Sequence, residues 1–291
     1  MLEELFESAL EMEKLHKSHE PSKILAGKIM SALFYEASTR TRLSFETAML
    51  KLGGAVISTE NAAQFSSAIK GESIEDTIRM INGYADVIVV RHPQIGTAVT
   101  AASVSTVPII NAGDGAGEHP TQALLDMLTI KKELGGIDNL HIAMMGDIKY
   151  NRVTRSLVKL LALYNNIILY FCSPPELAMT EEDREFLKEK KIPYSEHAAL
   201  DSFINMLDVL YVTRVQKERF ASQDEYERLK NVYVIDKNTI MKMKNKSIVM
   251  HALPRITEIA PEVDSDPRAA YFRQAQNGLY IRMALLKMLL T

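Results

Sequence analysis

Short apolar runs with no helical stripe alternate along this chain with longer segments whose apolar residues recur every three or four positions. Ile29 to Tyr35 is the first such run and predicts a buried strand. Phe45, Ala48, Met49 and Leu52 follow on one helix face, and Gly53-Gly54 stops that helix. Leu2 to Lys17 predicts a helix ahead of the strand, and Ala55 to Ser58 a short strand behind it. Asn61 to Glu72 is polar and without period, which predicts a loop. Ser73 and Asp76 then have capping-box spacing for a helix to about Tyr84. Asp86 to Val90 and Val107 to Ile110 predict strands with a helix between them. Asn111 to Gly117 reads as a loop only glycine-rich backbone tolerates, and Pro120 suits the start of a helix from about His119 to Leu134.

The pattern restarts after Gly135-Gly136, which reads as a domain boundary. Leu140 to Met145, Ile167 to Cys172, Val209 to Thr213, Val232 to Ile235 and Ser247 to His251 predict strands with helical segments between them. Val153, Leu157, Leu160, Leu161 and Tyr164 form one helix face after the first of these. Strands alternating with helices imply parallel sheets covered on both faces. The expected fold is therefore α/β, with two doubly wound parallel-sheet domains and an active-site cleft between them. The expected domains are 1–135 and 136–266, with a final helix, 267–291, packing back on the first. Ligands in such sheets sit at the carboxyl ends of the strands, and the polar sequence collects there.

Composition narrows the partners more than the fold. With 291 residues, 47% of them hydrophobic, the chain can bury a large core, and its net charge of -3 is spread without a basic patch. Nothing suggests a nucleic-acid surface. No apolar run reaches the roughly 18 residues of a membrane span. Cys172 is the single cysteine, which excludes internal disulfides and a cysteine zinc site and suits a reducing compartment. Met1 to Lys17 is acidic and amphipathic without a signal-peptide apolar region, so a cytoplasmic location is expected, or an organelle if a transit peptide has been removed. No His, Asp or Glu spacing suggests a catalytic metal, and no glycine fingerprint follows Leu140 to Met145, so no cofactor is expected.

The candidate chemistry starts at the turn after the first strand. Ser38, Thr39, Arg40, Thr41 and Arg42 open a helix whose first turn carries hydroxyls and arginines and no acid. Free N–H groups, the helix dipole and a guanidinium suit a phosphate; the alternative is a capped helix with two solvated arginines, Ser38 or Thr39 being the cap. Arg91 ends a strand, as a ligand contact or a surface charge. His119 and Gln122 share a face at a helix N-terminus, where a neutral imidazole can donate to a carbonyl that gains charge, or simply cap the helix. Ser66 and Lys70 lie in the polar loop, which read alone is solvated. Arg152 and Arg214 follow two strands of the second domain, with Gln216 just beyond. As a pair they suit a dicarboxylate, and singly each reads as a helix-start charge.

The turn Ser38 to Arg42 resembles the carbamoyl-phosphate loop of the transcarbamoylases, and the resemblance runs through nearly the whole chain. It implies that Ser38, Thr39, Arg40, Thr41, Arg91, His119, Gln122, Ala252 and Leu253 bind carbamoyl phosphate. Arg40, Thr41, Arg91 and His119 would be the catalytic groups. Thr213 to Arg219 resembles the aspartate-binding loop of the aspartate-using members, which implies that Lys70, Arg152, Arg214, Gln216 and Leu253 bind L-aspartate. It further implies a homotrimer with shared active sites, Ser66 and Lys70 reaching a neighbouring chain, and leaves open a regulatory chain or a nucleotide inhibitor. His251 to Arg255 resembles the family's loop with a cis peptide, here Leu253-Pro254; ornithine-using members carry cysteine where this chain has Ala252. Alanine stands at Ala37 and Ala252 where the aspartate-using members usually carry proline, and Asn151 replaces a glycine, which asparagine does mildly because it tolerates positive φ. The alternatives are a transcarbamoylase with another amino acceptor and a non-catalytic phosphometabolite-binding protein of the same fold.

Overall fold

Strands β1 (Ile29–Phe34), β2 (Ala55–Glu60), β3 (Val87–His92) and β4 (Ile109–Asp114) pair in parallel in the order β2-β1-β3-β4. In this computed structural model the described residues are 1–65, 67–115, 117–215, 220, 222–230 and 232–291. Both faces of the sheet are covered at its central strands β1 and β3, as their uninterrupted apolar runs require, while the edge strand β2 is largely exposed. Leu33, Ile88 and Val90 pack with Ile78 and Ala101 from the helices Ile74–Ile81 and Thr97–Val104. The alternate residues Met30, Ala32 and Phe34 are fully buried as well. Ser73 caps its helix by accepting from the Asp76 N–H at 3.1 Å, one of the two bonds of the expected capping box.

A second parallel sheet contains β5 (His141–Met145), β6 (Ile168–Cys172), β7 (Tyr194–His197), β8 (Val209–Val212) and β9 (Ile248–His251), in the order β7-β6-β5-β8-β9. Its core gathers Ala143, Met145, Cys172, Leu210, Val212 and Val249 with Phe203, Ile240 and Tyr271. The chain divides into two units, residues 1–121 with 276–291 and residues 122–275. The helices Pro120–Leu134 and Tyr271–Leu290 each begin in one unit and end in the other. Within the first unit, the end of the last helix is tied to the first helix, Leu2–Ser18, and to Phe45. Lys287 Nζ lies 3.1 Å from Glu11 Oε2, the His16 and Tyr280 rings are 5.8 Å apart, and the Arg282 guanidinium lies 5.1 Å from the Phe45 ring centroid.

Several expected elements differ. Val232 to Ile235 is no strand: only Ile235 forms a bridge, to Ile259, while Val232 and Val234 are exposed. The fifth strand of the second sheet is instead β7. Asn61 to Glu72 is not simply a loop, because it contains a helical turn at Ala62–Phe65 and a 3-10 turn at Ser67–Lys70. β3 continues to His92 and β4 to Asp114, so Arg91 lies inside a strand, and Asn111 and Asp114 pair with Val90 and His92 across an irregularity in the register. The last helix begins at Tyr271, not Pro267, because Arg268 and Ala270 exchange backbone bonds with Val249 of β9 at 2.8 and 2.9 Å.

Candidate functional site

The strand orders place the candidate side chains. In the first sheet the chain moves from β1 to β2 on one side and to β3 on the other, so the switch point lies between β1 and β3. The helix Thr39–Lys51 starts directly after β1, and Arg91 pairs with Phe34 across the same junction. His119 follows β4, the next strand over. The first unit therefore gathers Ser38 to Thr41, Arg91 and His119 at the carboxyl ends of three adjacent strands.

Ser38 is the residue before the helix, with extended backbone, and its side chain makes no capping bond. No acid stands in the first turn. The two arginines separate. Arg42 is held by Glu46 at 3.1 Å and Glu60 at 2.8 Å, whereas Arg40 is exposed and Thr41 buried. Arg91 is 8% exposed; its guanidinium lies 3.1 Å from Glu36 Oε2 and donates to the Ala112 carbonyl at 3.4 Å. His119 is 6% exposed and immediately precedes Pro120, the first residue of its helix. The turn that leads there needs glycine. At Gly115, φ is +53° and a Cβ would stand 2.2 Å from the Pro93 carbonyl oxygen.

In the second sheet the chain runs β5-β6-β7 one way and β8-β9 the other, so the switch lies between β5 and β8. Arg152 opens the helix after β5, and Arg214 stands two residues past β8. The strand ends approach closely: a Cβ on Gly146 would stand 2.2 Å from the Thr213 carbonyl oxygen. Asn151 does not use the left-handed region expected of a glycine replacement. Its φ is −86°, and its side chain caps the helix by accepting from the Val153 and Thr154 N–H groups at 3.0 and 3.4 Å. Leu253 follows β9, has φ +57° and joins Pro254 through a cis peptide, as the resemblance implies.

A buried polar chain, whose Asp126, Gln274 and Glu258 the sequence reading missed, leads from Gln122 to Leu253. Gln122 Nε2 donates to Asp126 Oδ1 at 2.9 Å, and Gln274 Nε2 donates to the same oxygen at 2.6 Å. The Tyr211 hydroxyl donates to Asp126 Oδ2 at 2.9 Å. Burial, then the neighbouring carboxylate, raises the Tyr211 pKa well above its ordinary value and keeps the hydroxyl protonated. Gln274 Oε1 accepts the His251 N–H at 2.8 Å, and His251 Nδ1 accepts the Leu253 N–H at 2.8 Å. His251 therefore carries its proton on Nε2, which donates to Glu258 Oε1 at 2.8 Å. Burial alone would raise the Glu258 pKa, but the bonds from His251 and from backbone N–H groups outweigh it and hold the pKa below its ordinary value.

Ala252 is half-buried within this loop, and Ala37 is exposed ahead of the first helix turn. Lys70 is exposed at the end of its 3-10 turn. Ser66 and Gln216 lie outside the described residues. Among the described residues no group of three or more His, Cys, Asp or Glu could hold a metal ion, and no helix is long and apolar enough to cross a membrane.

Residues 1–132 match the model of the carbamoyl-phosphate-binding domain of aspartate/ornithine carbamoyltransferases, and residues 138–289 match the model of their aspartate/ornithine-binding domain. The chain belongs to the aspartate/ornithine carbamoyltransferase family. Within it, the chloroplastic aspartate carbamoyltransferase of Arabidopsis thaliana is 52% identical over 291 residues, spanning 100% of this chain and 75% of that protein. The aspartate carbamoyltransferase catalytic subunit of Methanocaldococcus jannaschii is 51% identical over 287 residues, spanning 99% and 93%. A crystal form of the M. jannaschii catalytic subunit superposes with a TM-score of 0.92 at 50% identity, covering 99% of this chain and 93% of that one. The Trypanosoma cruzi aspartate transcarbamoylase in complex with N-(phosphonacetyl)-L-aspartic acid superposes with a TM-score of 0.93 at 43% identity, covering 100% and 92%. This carbamoyltransferase chain thus shares both domains with its relatives.

Proposed function

We propose that this chain is an aspartate carbamoyltransferase, converting carbamoyl phosphate and L-aspartate to N-carbamoyl-L-aspartate and phosphate, an early step of pyrimidine synthesis. The observation that carries the choice of acceptor is the placement of Arg152 and Arg214 at the ends of the adjacent strands β5 and β8. Two guanidinium groups suit two carboxylates and repel the cationic side chain of ornithine. The aspartate amine attacks the carbamoyl carbon, and the carbonyl electron pair moves onto oxygen. Thr41, Arg91 and His119 stabilise that oxyanion. The carbonyl re-forms, the bond to the bridging oxygen breaks with its electron pair leaving on phosphate, and Arg40 offsets the charge there. The departing phosphate takes the amine proton, so no side-chain base is required. Arg152, Arg214 and Gln216 orient aspartate, and Gln122 with the Leu253 carbonyl holds the carbamoyl amide.

The same reading makes the protein a homotrimer in which Ser66 and Lys70 complete a neighbour's site, working in the cytoplasm or an organelle without a cofactor. The test is carbamoylation of aspartate against ornithine by the purified protein, with its mass measured in solution. Product from aspartate and none from ornithine is expected; the reverse would overturn the choice of acceptor.

A further inference from the structure

Asp126 is fully buried, 85 residues from Tyr211 and 148 from Gln274 along the chain, and three donors converge on it. A carboxylate accepts and never donates. Each glutamine amide bonded to it must therefore present its nitrogen, which turns its oxygen the other way. For Gln274 that oxygen meets the His251 N–H. For Gln122 it leaves an acceptor.

We propose that Asp126 is a positioning residue that sets the acyl selectivity of the reaction by fixing two acceptors for the carbamoyl NH2 group, the Gln122 side-chain oxygen directly and the Leu253 carbonyl by relay. The inference rests on the function proposed above. The relay runs from Asp126 Oδ1 to Gln274 Nε2, from Gln274 Oε1 to the His251 N–H, and from His251 Nδ1 to the Leu253 N–H, each bond at 2.8 Å or less. The Leu253 N–H is thereby occupied, and its carbonyl is the polar group left to face a ligand. The carbamoyl NH2 only donates, so a site that recognises it must offer only acceptors. An acetyl group has the same shape and no donor. A carboxylate behind both acceptors thus lets the chain tell carbamoyl phosphate from acetyl phosphate.

The Asp126→Leu variant tests this, because it removes the acceptor that both glutamine amides face. The Gln122 amide is then no longer held nitrogen-inward and can present N–H in place of oxygen. The ratio of kcat/KM for carbamoyl phosphate to that for acetyl phosphate, both with aspartate, should fall about tenfold or more. A merely structural role would lower both substrates alike and leave the ratio unchanged. Gln274→Met, which cuts only the relay, should lower the ratio by a smaller factor and carries the test if Asp126→Leu does not fold. Tyr211→Phe removes the contact to the other carboxylate oxygen and should keep the ratio. An unchanged ratio in folded Asp126→Leu, or in Gln274→Met where that variant carries the test, overturns the inference alone. A wild-type protein that turns over neither acyl phosphate overturns the function and the inference with it.

Discussion

Arg40 and Arg42 stand two residues apart in different surroundings. Arg42 bridges Glu46 and Glu60, while Arg40 is exposed at the first turn beside Thr41. Arg40→Ala should lower kcat by the loss of one contact to developing charge, about 2.7–4 kcal/mol of barrier, with little change in melting temperature. Arg42→Ala should do the reverse: a stability loss of about 1 kcal/mol or less, as for a half-exposed ion pair, with kcat/KM retained. Steady-state kinetics and thermal melts on both variants check the pair. Arg214→Ala should raise the KM for aspartate while the calorimetric affinity for carbamoyl phosphate stays near wild type, since Arg214 belongs to the unit that does not contain the phosphate turn. Equal loss for both substrates would make Arg214 structural. These single positions were legible because each sits beside a strand end that the apolar pattern predicts. Asp126, Gln274 and Glu258 were not. Asp126 and Gln274 read as ordinary helix positions, Glu258 as an ordinary loop carboxylate, and their meaning lies in partners brought together only by folding.

The loop after β9 behaves as one device. The His251 ring joins Leu253 on one nitrogen and Glu258 on the other, and Glu258 Oε2 accepts the Ile256 and Thr257 N–H groups, both at 3.1 Å. Because the folded Glu258 pKa lies below its ordinary value of 4.5, its carboxylate contributes stability that is fully present above about pH 4.5 and is lost as pH falls through the lowered folded value. Glu258→Gln should therefore flatten that part of the acid unfolding curve, measured by denaturant melts at a series of pH values; an unchanged pH slope would remove Glu258 from the acid response. Elements of this kind also mark where the pattern misleads. β7 escaped because Tyr194 to His197 is a half-exposed edge strand with no apolar run. Val232 to Ile235 looked like a strand because a β-propensity run resembles one, yet its valines face water.

At the scale of the molecule, each unit carries its polar groups at its own switch point, and the proposed trimer adds a third contribution from Lys70 of a neighbour. His119→Ala and Lys70→Ala should each be nearly inactive. Mixed by denaturation and renaturation, the two should regain activity, because some interfaces then join an intact His119 to an intact Lys70. Parents renatured separately should stay inactive. Native mass spectrometry that finds mixed trimers without returned activity would overturn the shared site. The parallel sheets and their order of elements follow from the alternation of strand and helix patterns. The register that brings Met145 opposite Val212, at the strand ends that lead on to Arg152 and Arg214, has no such signal in a single sequence, since it depends on which strands become neighbours.

The first unit is also discontinuous, closed by residues 276–291, which follow the second along the chain. On the ribosome this inverts the order of completion. The segment from Met1 to Thr121 is made before Gln122–Ala275 and must wait for a helix end made after it, so the later unit holds its full complement of residues before the earlier one does. Until then Phe45 and the first helix lack the Arg282, Tyr280 and Lys287 that cover them, so the earlier unit keeps apolar surface open until the last helix is made.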